Sequence, residues 1–262
     1  MALIDLVLLK SRLGDCSGRF DVDALDECDS TSSELARRAE RGAPAGSVIV
    51  ADRQTAGRGR RGRAWLSAPA DSLTFSLLWR FEGSPARLSG LSLAVGVALA
   101  RGLRRLGIAG AGLKWPNDVL LRLGDAHGKL AGILVELSSD RRGTQAIIGI
   151  GINLRPPNGD LAQAVAGLSQ AASLPERHEL LAVLLAELAG AMTLFDERGF
   201  AAFRAEWDDC NVWRGQAVQI LAEGQAPLLG SCLGADADGA LLLHTANGIE
   251  RIFSGDVSLR PA

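Results

Sequence analysis

The rhythm of apolar and polar positions changes several times along this chain. Residues 1–25 give a short apolar-polar segment and then an acidic linker. Asp29-Ser-Thr-Ser-Ser-Glu34 predicts a helix start, with Thr31 and Glu34 spaced as a capping box and the helical stretch running to Arg41 before a stop at Gly42. Ser47–Asp52 reads as a buried strand, and Leu73–Trp79 alternates at period two, as a strand with one buried face does. From Pro85 to Gly107, Leu88, Leu91, Val95, Leu99 and Leu103 recur every three or four residues. They predict one long helix, with Arg101, Arg104 and Arg105 as a solvated face. Leu113–Leu121 predicts a hairpin turning at Pro116-Asn117-Asp118. Leu130–Leu137 and Ala146–Leu154 follow as strands whose glycines imply close approach of a neighbouring element or a ligand. Ala146–Leu154 is also a candidate edge strand for pairing two subunits. Leu174–Arg198 and Phe200–Asp208 supply further helix.

From Asn211 the rhythm shortens. Ala217–Leu221, Leu228–Leu233, Ala240–His244, Ile249–Ser254 and Val257–Leu259 are short β segments separated by Gly and Asp turns. They predict a small barrel appended to an α+β body. The division is an N-terminal segment over 1–25, a main domain over 26–210 and the barrel over 211–262.

Composition narrows the class. A chain of 262 residues that is 47% apolar and 22% charged has ample material for one large and one small domain. Its formal charge of −2 argues against general nucleic-acid binding. No uninterrupted apolar run approaches the ~20 residues that cross a bilayer, and the N-terminus lacks an export signal. Cys16, Cys28, Cys210 and Cys232 are scattered, as reduced thiols of a cytoplasmic protein are.

Candidate chemistry concentrates in Gln54-Thr-Ala-Gly-Arg-Gly-Arg-Arg-Gly-Arg-Ala-Trp65. Its glycines open backbone conformations that other residues resist, and its guanidinium groups fork onto carboxylate or phosphate. Gly57, Gly59 and Gly62 match a dinucleotide fingerprint literally, yet no helix begins at the third glycine and no βαβ unit surrounds it. A Walker A Lys-Ser/Thr is absent. The loop has the arginines of an RGG-type nucleic-acid contact without its repetition or basic surround. His127, His178 and His244 stand isolated from other metal ligands. No Gly-x-Ser-x-Gly nucleophile elbow is present.

Only three of the 28 basic residues are lysines, and two of them, Lys114 and Lys129, fall in the segments Lys-Trp-Pro-Asn-Asp and Gly-Lys-Leu-Ala-Gly-Ile. An anion loop, two lysines, and Asn117 with Asp118 suit adenylation, in which a carboxylate attacks the α-phosphate of ATP and cations offset the repulsion. Asn117 and Asp118 offer the oxygen ligands that Mg²⁺ prefers beside phosphates.

Asp29-Ser-Thr, the arginine loop to Trp65, Lys114-Trp-Pro-Asn-Asp118, Gly128-Lys-Leu-Ala-Gly-Ile-Leu-Val-Glu136 and Gly149-Ile-Gly-Ile-Asn153 occur in that order, with a closing Ser-Leu-Arg. Together they resemble the bacterial biotin protein ligases over roughly residues 26–260. The resemblance implies a class II synthetase-like, biotin/lipoyl ligase catalytic domain with a mixed sheet over 26–210, and an SH3-like C-terminal barrel. It implies ATP and biotin as substrates with Mg²⁺, formation of biotinyl-5′-AMP, and transfer to a lysine of a biotin carboxyl carrier protein. Ser30, Thr31, Ser32, Gln54, Gly57, Arg58, Gly59, Arg60, Lys129 and Gly132 would hold biotin. Arg58, Arg60, Arg61 and Arg63 would face carboxylate and triphosphate, and Trp65 would close over the adenine. Lys129 is the leading catalytic cation, with Arg60 beside it. Lys114, Asn117 and Asp118 would line the nucleotide and metal side, Asp118 as the Mg²⁺ ligand, with Asn153 nearby.

The family often carries Asn where this chain has Ser32. The DNA-binding domain of its bifunctional members has no counterpart in the sequence, so the expectation is a monofunctional enzyme, monomer or homodimer, without DNA or membrane. The competing readings are a biotin sensor without turnover, an RNA contact protein, and a lipoate or octanoyl transferase, whose relatives lack the Gly-Arg-Gly-Arg-Arg-Gly loop. That loop is expected to be a lid that orders when ligand fills the site.

Overall fold

A computed structural model of the chain describes residues 3–140, 143–157, 164–171, 174–222, 224–255 and 257–262. Strands β1 (Asp21–Cys28), β2 (Ser47–Gln54), β3 (Ser72–Phe81), β4 (Ala111–Lys114), β5 (Asp118–Leu123), β6 (Ala126–Asp140) and β7 (Gly143–Asn153) build a mixed sheet in the order β1-β2-β3-β7-β6-β5-β4. Only β1 and β2 run parallel; the other pairs are antiparallel. Ala146–Leu154 therefore lies at the centre of the sheet, bonded on both sides, and has no free edge to offer a second subunit.

The sheet has two unlike faces. Helices α3 (Leu91–Arg105) and α4 (Arg177–Arg198) pack on one, over Leu73, Phe75, Leu77, Ile148, Ile150 and Ile152, in the main core. Helix α2 (Thr31–Glu40) covers part of the other through Leu35, which meets Ile49, Leu78 and Ile147. Because strand side chains alternate, the second face receives Ser72, Thr74 and Ser76 from β3 and Gly149, Gly151 and Asn153 from β7. The alternation in Leu73–Trp79 thus separates core from cavity rather than core from solvent, and β3 is buried on both faces as far as Leu78.

Residues 1–25 are not a loose linker where described. Helix α1 (Leu6–Leu13) follows Asp5, whose carboxylate caps it by accepting from the Val7 and Leu8 amides, and β1 then forms the sheet's outer strand. Met1 and Ala2 lie outside the described residues. The expected capping box at α2 does not form. Ser30 occupies the N-cap without a side-chain bond. Glu34 turns to Arg37 and Arg38, and Thr31 turns to Gln54 and Ser76. The predicted single helix from Pro85 breaks at Gly90, in the left-handed region with φ 78°, between a 3₁₀ turn over Pro85–Leu88 and α3. A Cβ at Gly90 would lie 2.6 Å from that of Phe200, so this tight crossing needs glycine. Arg101 and Arg105 are paired with Glu206 and Glu187, not merely solvated. The stretches 85–105 and 177–198 are long and apolar enough on average to span a bilayer, but both are mostly buried core.

Helix α5 (Arg204–Cys210) leads into β8 (Ala217–Ala222), β9 (Leu228–Ala235), β10 (Leu241–Thr245), β11 (Gly248–Ile252) and β12 (Val257–Pro261). They form an antiparallel sheet in the order β11-β10-β9-β8-β12. The five strands match the sequence pattern, but β11 and β12 are its two ends, so the expected barrel is not closed. Trp115 Nε1–H donates to the Gly239 carbonyl, and Asp208 accepts from the Ala235 amide, tying this sheet to the main body.

Candidate active site

The arginine loop leaves β2 after Gln54 and folds back on itself as a small hairpin. The Gly59 amide donates to the Arg63 carbonyl at 2.8 Å, and the Trp65 amide to the Gly57 carbonyl at 2.9 Å. A Cβ at Gly57 would sit 2.4 Å from the Trp65 carbonyl oxygen, so this close turn requires glycine. Arginines anchor the hairpin on separate supports. Arg58 pairs with Glu136 on β6 at 2.7 Å. Arg60 donates to Asn117 Oδ1 at 3.2 Å and to the Gly255 carbonyl at 2.6 Å. The loop is thereby laid over the polar face of the sheet, enclosing a cavity of about 470 Å³.

One end of this cavity is neutral and rich in hydroxyl and amide groups. Ser30, Thr31 and Ser32 begin α2 and are all buried. The Gln54 carboxamide oxygen accepts from the Thr31 amide at 2.7 Å and its hydroxyl at 3.2 Å. Trp65 lies beside this end, against the glycines of the floor: a Cβ at Gly151 would come within 2.3 Å of its ring, and one at Gly132 within 3.1 Å. Its buried Nε1–H has no hydrogen-bond partner among the described residues.

The other end is cationic. Lys129 on β6 pairs with Asp118 at 2.7 Å, and Lys114 on β4 lies 3.8 Å from the same carboxylate. Burial pushes the Lys114 ammonium down to about 8, with Asp118 opposing the shift and Arg260, Lys129 and Arg63 adding to it. Among the described residues Asp118 is the only acidic side chain lining the cavity. The Lys129 ammonium also stands 5.8 Å from the Trp65 ring centroid, a cation–π contact at the junction of the two ends. Asn153 Nδ2 donates to the carbonyls of Lys129 and Ala166, holding the backbone from which Lys129 projects. Asn117 Nδ2 donates to the Ile133 carbonyl, locking the hairpin turn onto β6.

Every site residue expected from the sequence lines this cavity except Gly57. Its carbonyl is engaged by Trp65, and it faces a second hollow on the outer side of the loop. Trp65, the residue expected to close over an adenine, lies against Gly132 and Gly151 of the sheet floor. Among the described residues no group of three or more His, Cys, Asp and Glu is arranged for a metal. Sequence reasoning gave no site role to Arg260, Trp115 or Thr74, all of which line the cavity. Arg260 belongs to the closing Ser-Leu-Arg, but nothing local in that tripeptide reveals a fold that returns it to Lys114. Period two in β3 was the available signal for Thr74.

A neutral polar end joined by an aromatic wall to a cationic end suits an amphiphilic carboxylate meeting a polyphosphate. The family model of the biotin/lipoate A/B protein ligases matches residues 27–153, and that of the biotin protein ligase C-terminal domain matches 215–260. The chain belongs to the biotin protein ligase family. It is 36% identical to the bifunctional ligase/repressor BirA of Escherichia coli strain K12, over 99% of this chain and 80% of that protein. It is 35% identical to the biotin–[acetyl-CoA-carboxylase] ligase of Paracoccus denitrificans, over 89% of this chain and 98% of that one. The solved biotin protein ligase from Aquifex aeolicus in complex with biotin and ATP superposes with a TM-score of 0.78 at 33% identity, covering 92% of this chain and 99% of the other.

Proposed function

We propose that the chain is an ATP-dependent ligase that activates biotin and attaches it to a lysine of a biotin carboxyl carrier protein. The observation that carries this reading is Lys129, placed between the neutral and cationic ends of one cavity. Biotin's ureido ring occupies the end formed by Ser30, Thr31, Ser32 and Gln54, and its aliphatic tail runs past Trp65, leaving the carboxylate at Lys129. Lys114, Arg58, Arg60, Arg61 and Arg63 face the triphosphate. A carboxylate oxygen attacks the α-phosphorus, the bond to the β-phosphate bridging oxygen breaks, and pyrophosphate leaves with the electron pair. Lys129 offsets the repulsion between the two anions and the negative charge growing on the α-phosphoryl oxygens. The acceptor lysine, as a free amine, then attacks the acyl carbon of biotinyl-5′-AMP and expels AMP, the amine proton passing to solvent.

Mg²⁺ fits this site only as an ion carried on the nucleotide. One carboxylate, Asp118, already neutralised by two lysines, cannot hold the ion alone, whereas Mg²⁺ ordinarily combines one or two carboxylates with phosphates and waters. Asp118 is its protein ligand in this reading, and the ion supplies charge neutralisation at the phosphates.

The test is biotin-dependent ATP–pyrophosphate exchange, followed by transfer of labelled biotin to a carrier domain with lipoate as competitor. We expect exchange only with biotin, no displacement by lipoate, and a loss of at least about a hundredfold in Lys129→Ala. Lipoate-driven exchange would redirect the substrate, and undiminished exchange in Lys129→Ala would remove Lys129 from the chemistry.

A further inference from the structure

Beneath the neutral end of the cavity lies a chain of hydroxyl groups whose central member never reaches the cavity. Ser76 on β3 is fully buried and absent from the cavity lining, whereas Thr31, Ser32 and Gln54 all line it. Ser76 Oγ lies 2.8 Å from Thr31 Oγ1 and 3.0 Å from Ser32 Oγ. In the sheet Ser76 stands opposite Gly149, and a Cβ there would come 2.5 Å from Ser32 Oγ. The glycine therefore leaves the space in which Ser32 reaches Ser76.

We propose that Ser76 is a positioning residue that relays the proton direction set at Gln54 and Thr31 to Ser32, and so completes the pattern shown to a cyclic urea. The inference rests on the ligase reading above. A carboxamide oxygen only accepts, so the Thr31 hydroxyl donates to Gln54 Oε1. Each hydroxyl has one proton. With that of Thr31 committed, Ser76 donates to Thr31, and Ser32 donates to Ser76. The sequence of donors is Ser32, Ser76, Thr31 and finally Gln54. At its two ends, Gln54 is left presenting Nε2–H donors, and Ser32 is left presenting acceptor lone pairs. A urea offers the complementary set, with N–H groups to donate and a carbonyl oxygen to accept. Removing the Ser76 hydroxyl leaves Thr31 donating to Gln54 but frees the Ser32 rotor, so the acceptor half of the pattern is no longer set before the ligand arrives.

The experiment is biotin-driven ATP–pyrophosphate exchange with the full chain and Ser76→Ala, alongside thermal unfolding of both. The expected result is a KM for biotin raised about tenfold, the loss from one oriented buried hydrogen bond. The kcat and the KM for ATP should stay within about twofold. A merely structural role would alter kcat and ATP use as well. A folded Ser76→Ala whose KM for biotin stays within about twofold of the parent overturns the proposal. Should Ser76→Ala not fold, Gly149→Ala decides, because its methyl pushes Ser32 away while leaving the Ser76 hydroxyl; an unchanged KM for biotin there overturns the proposal equally. Absence of biotin-driven exchange in the parent protein would instead defeat the ligase reading, so the two failures are distinct.

Discussion

Lys114 shows how a single side chain makes the site sensitive to pH. Burial lowers its pKa to about 8 despite Asp118. A lysine lowered in this way is charged in the folded protein below about 8 and loses its charge as the pH rises through that value. Between about 8 and its ordinary 10.5 the unfolded chain binds the extra proton, so deprotonation relieves a destabilising buried charge while removing the proposed phosphate partner. The KM for ATP should therefore rise about tenfold from pH 7 to pH 9, one decade for one unit beyond the pKa. Lys114→Met should start with a high KM that varies little over the same range. A flat profile in the parent protein would show that this ammonium does not bind nucleotide. Both cavity lysines were legible in the sequence because lysine is so rare in this arginine-rich chain. Ser76 was not, because a serine within an apolar strand carries no sign of which hydroxyls it meets.

At the scale of elements, the arginine loop and the glycine strands form one device. Gly132 and Gly151 are neighbours across β6 and β7, and together they clear the floor on which Trp65 lies. Gly151→Ala would bring a methyl to 2.3 Å from a rigid ring, so the indole must leave or the loop must lift. We expect a several-fold higher KM for biotin and a red-shifted tryptophan emission, with little change in unfolding temperature since the sheet ladder is intact. Unchanged emission and KM would mean that Trp65 does not rest there in solution. Hydrogen exchange at residues 57–65 addresses the loop itself: protection should increase with biotin bound, and equal exchange in both states would exclude a ligand-ordered lid. Period-two patterning located β3, short apolar runs located β2, β6 and β7, and the glycines of β6 and β7 pointed to close contact. These patterns could not show that the polar face of β3 looks into a cavity, nor that β7 is central, because strand order depends on pairings far apart in sequence. Likewise, the capping box at Thr31 failed because Glu34 had two arginines within reach and Thr31 had buried acceptors.

For the whole molecule, the C-terminal sheet forms part of the wall of the candidate site. Arg60 reaches the Gly255 carbonyl, and Val257–Arg260 line the cavity beside Lys114. Five short strands were readable from turn residues, yet their docking onto the main body was not, since it runs through scattered contacts. Chief among these is Asp208 at the end of the α-helical region. It is buried, its Oδ1 accepts from the Ala235 amide at 2.9 Å, and it fills the space left by Gly234, where a Cβ would lie 2.4 Å away. Asp208→Ala would leave a buried amide unpaired and open a gap at the junction, costing about 1–3 kcal/mol. Because the junction positions Arg260, the same change should raise the KM for ATP several-fold while the KM for biotin, set at the far end of the cavity, moves little. Denaturant unfolding and exchange kinetics on one preparation test both parts. Equal increases in the two KM values would show that the C-terminal sheet supports the site as a whole, whereas a selective effect on ATP would make it the nucleotide wall.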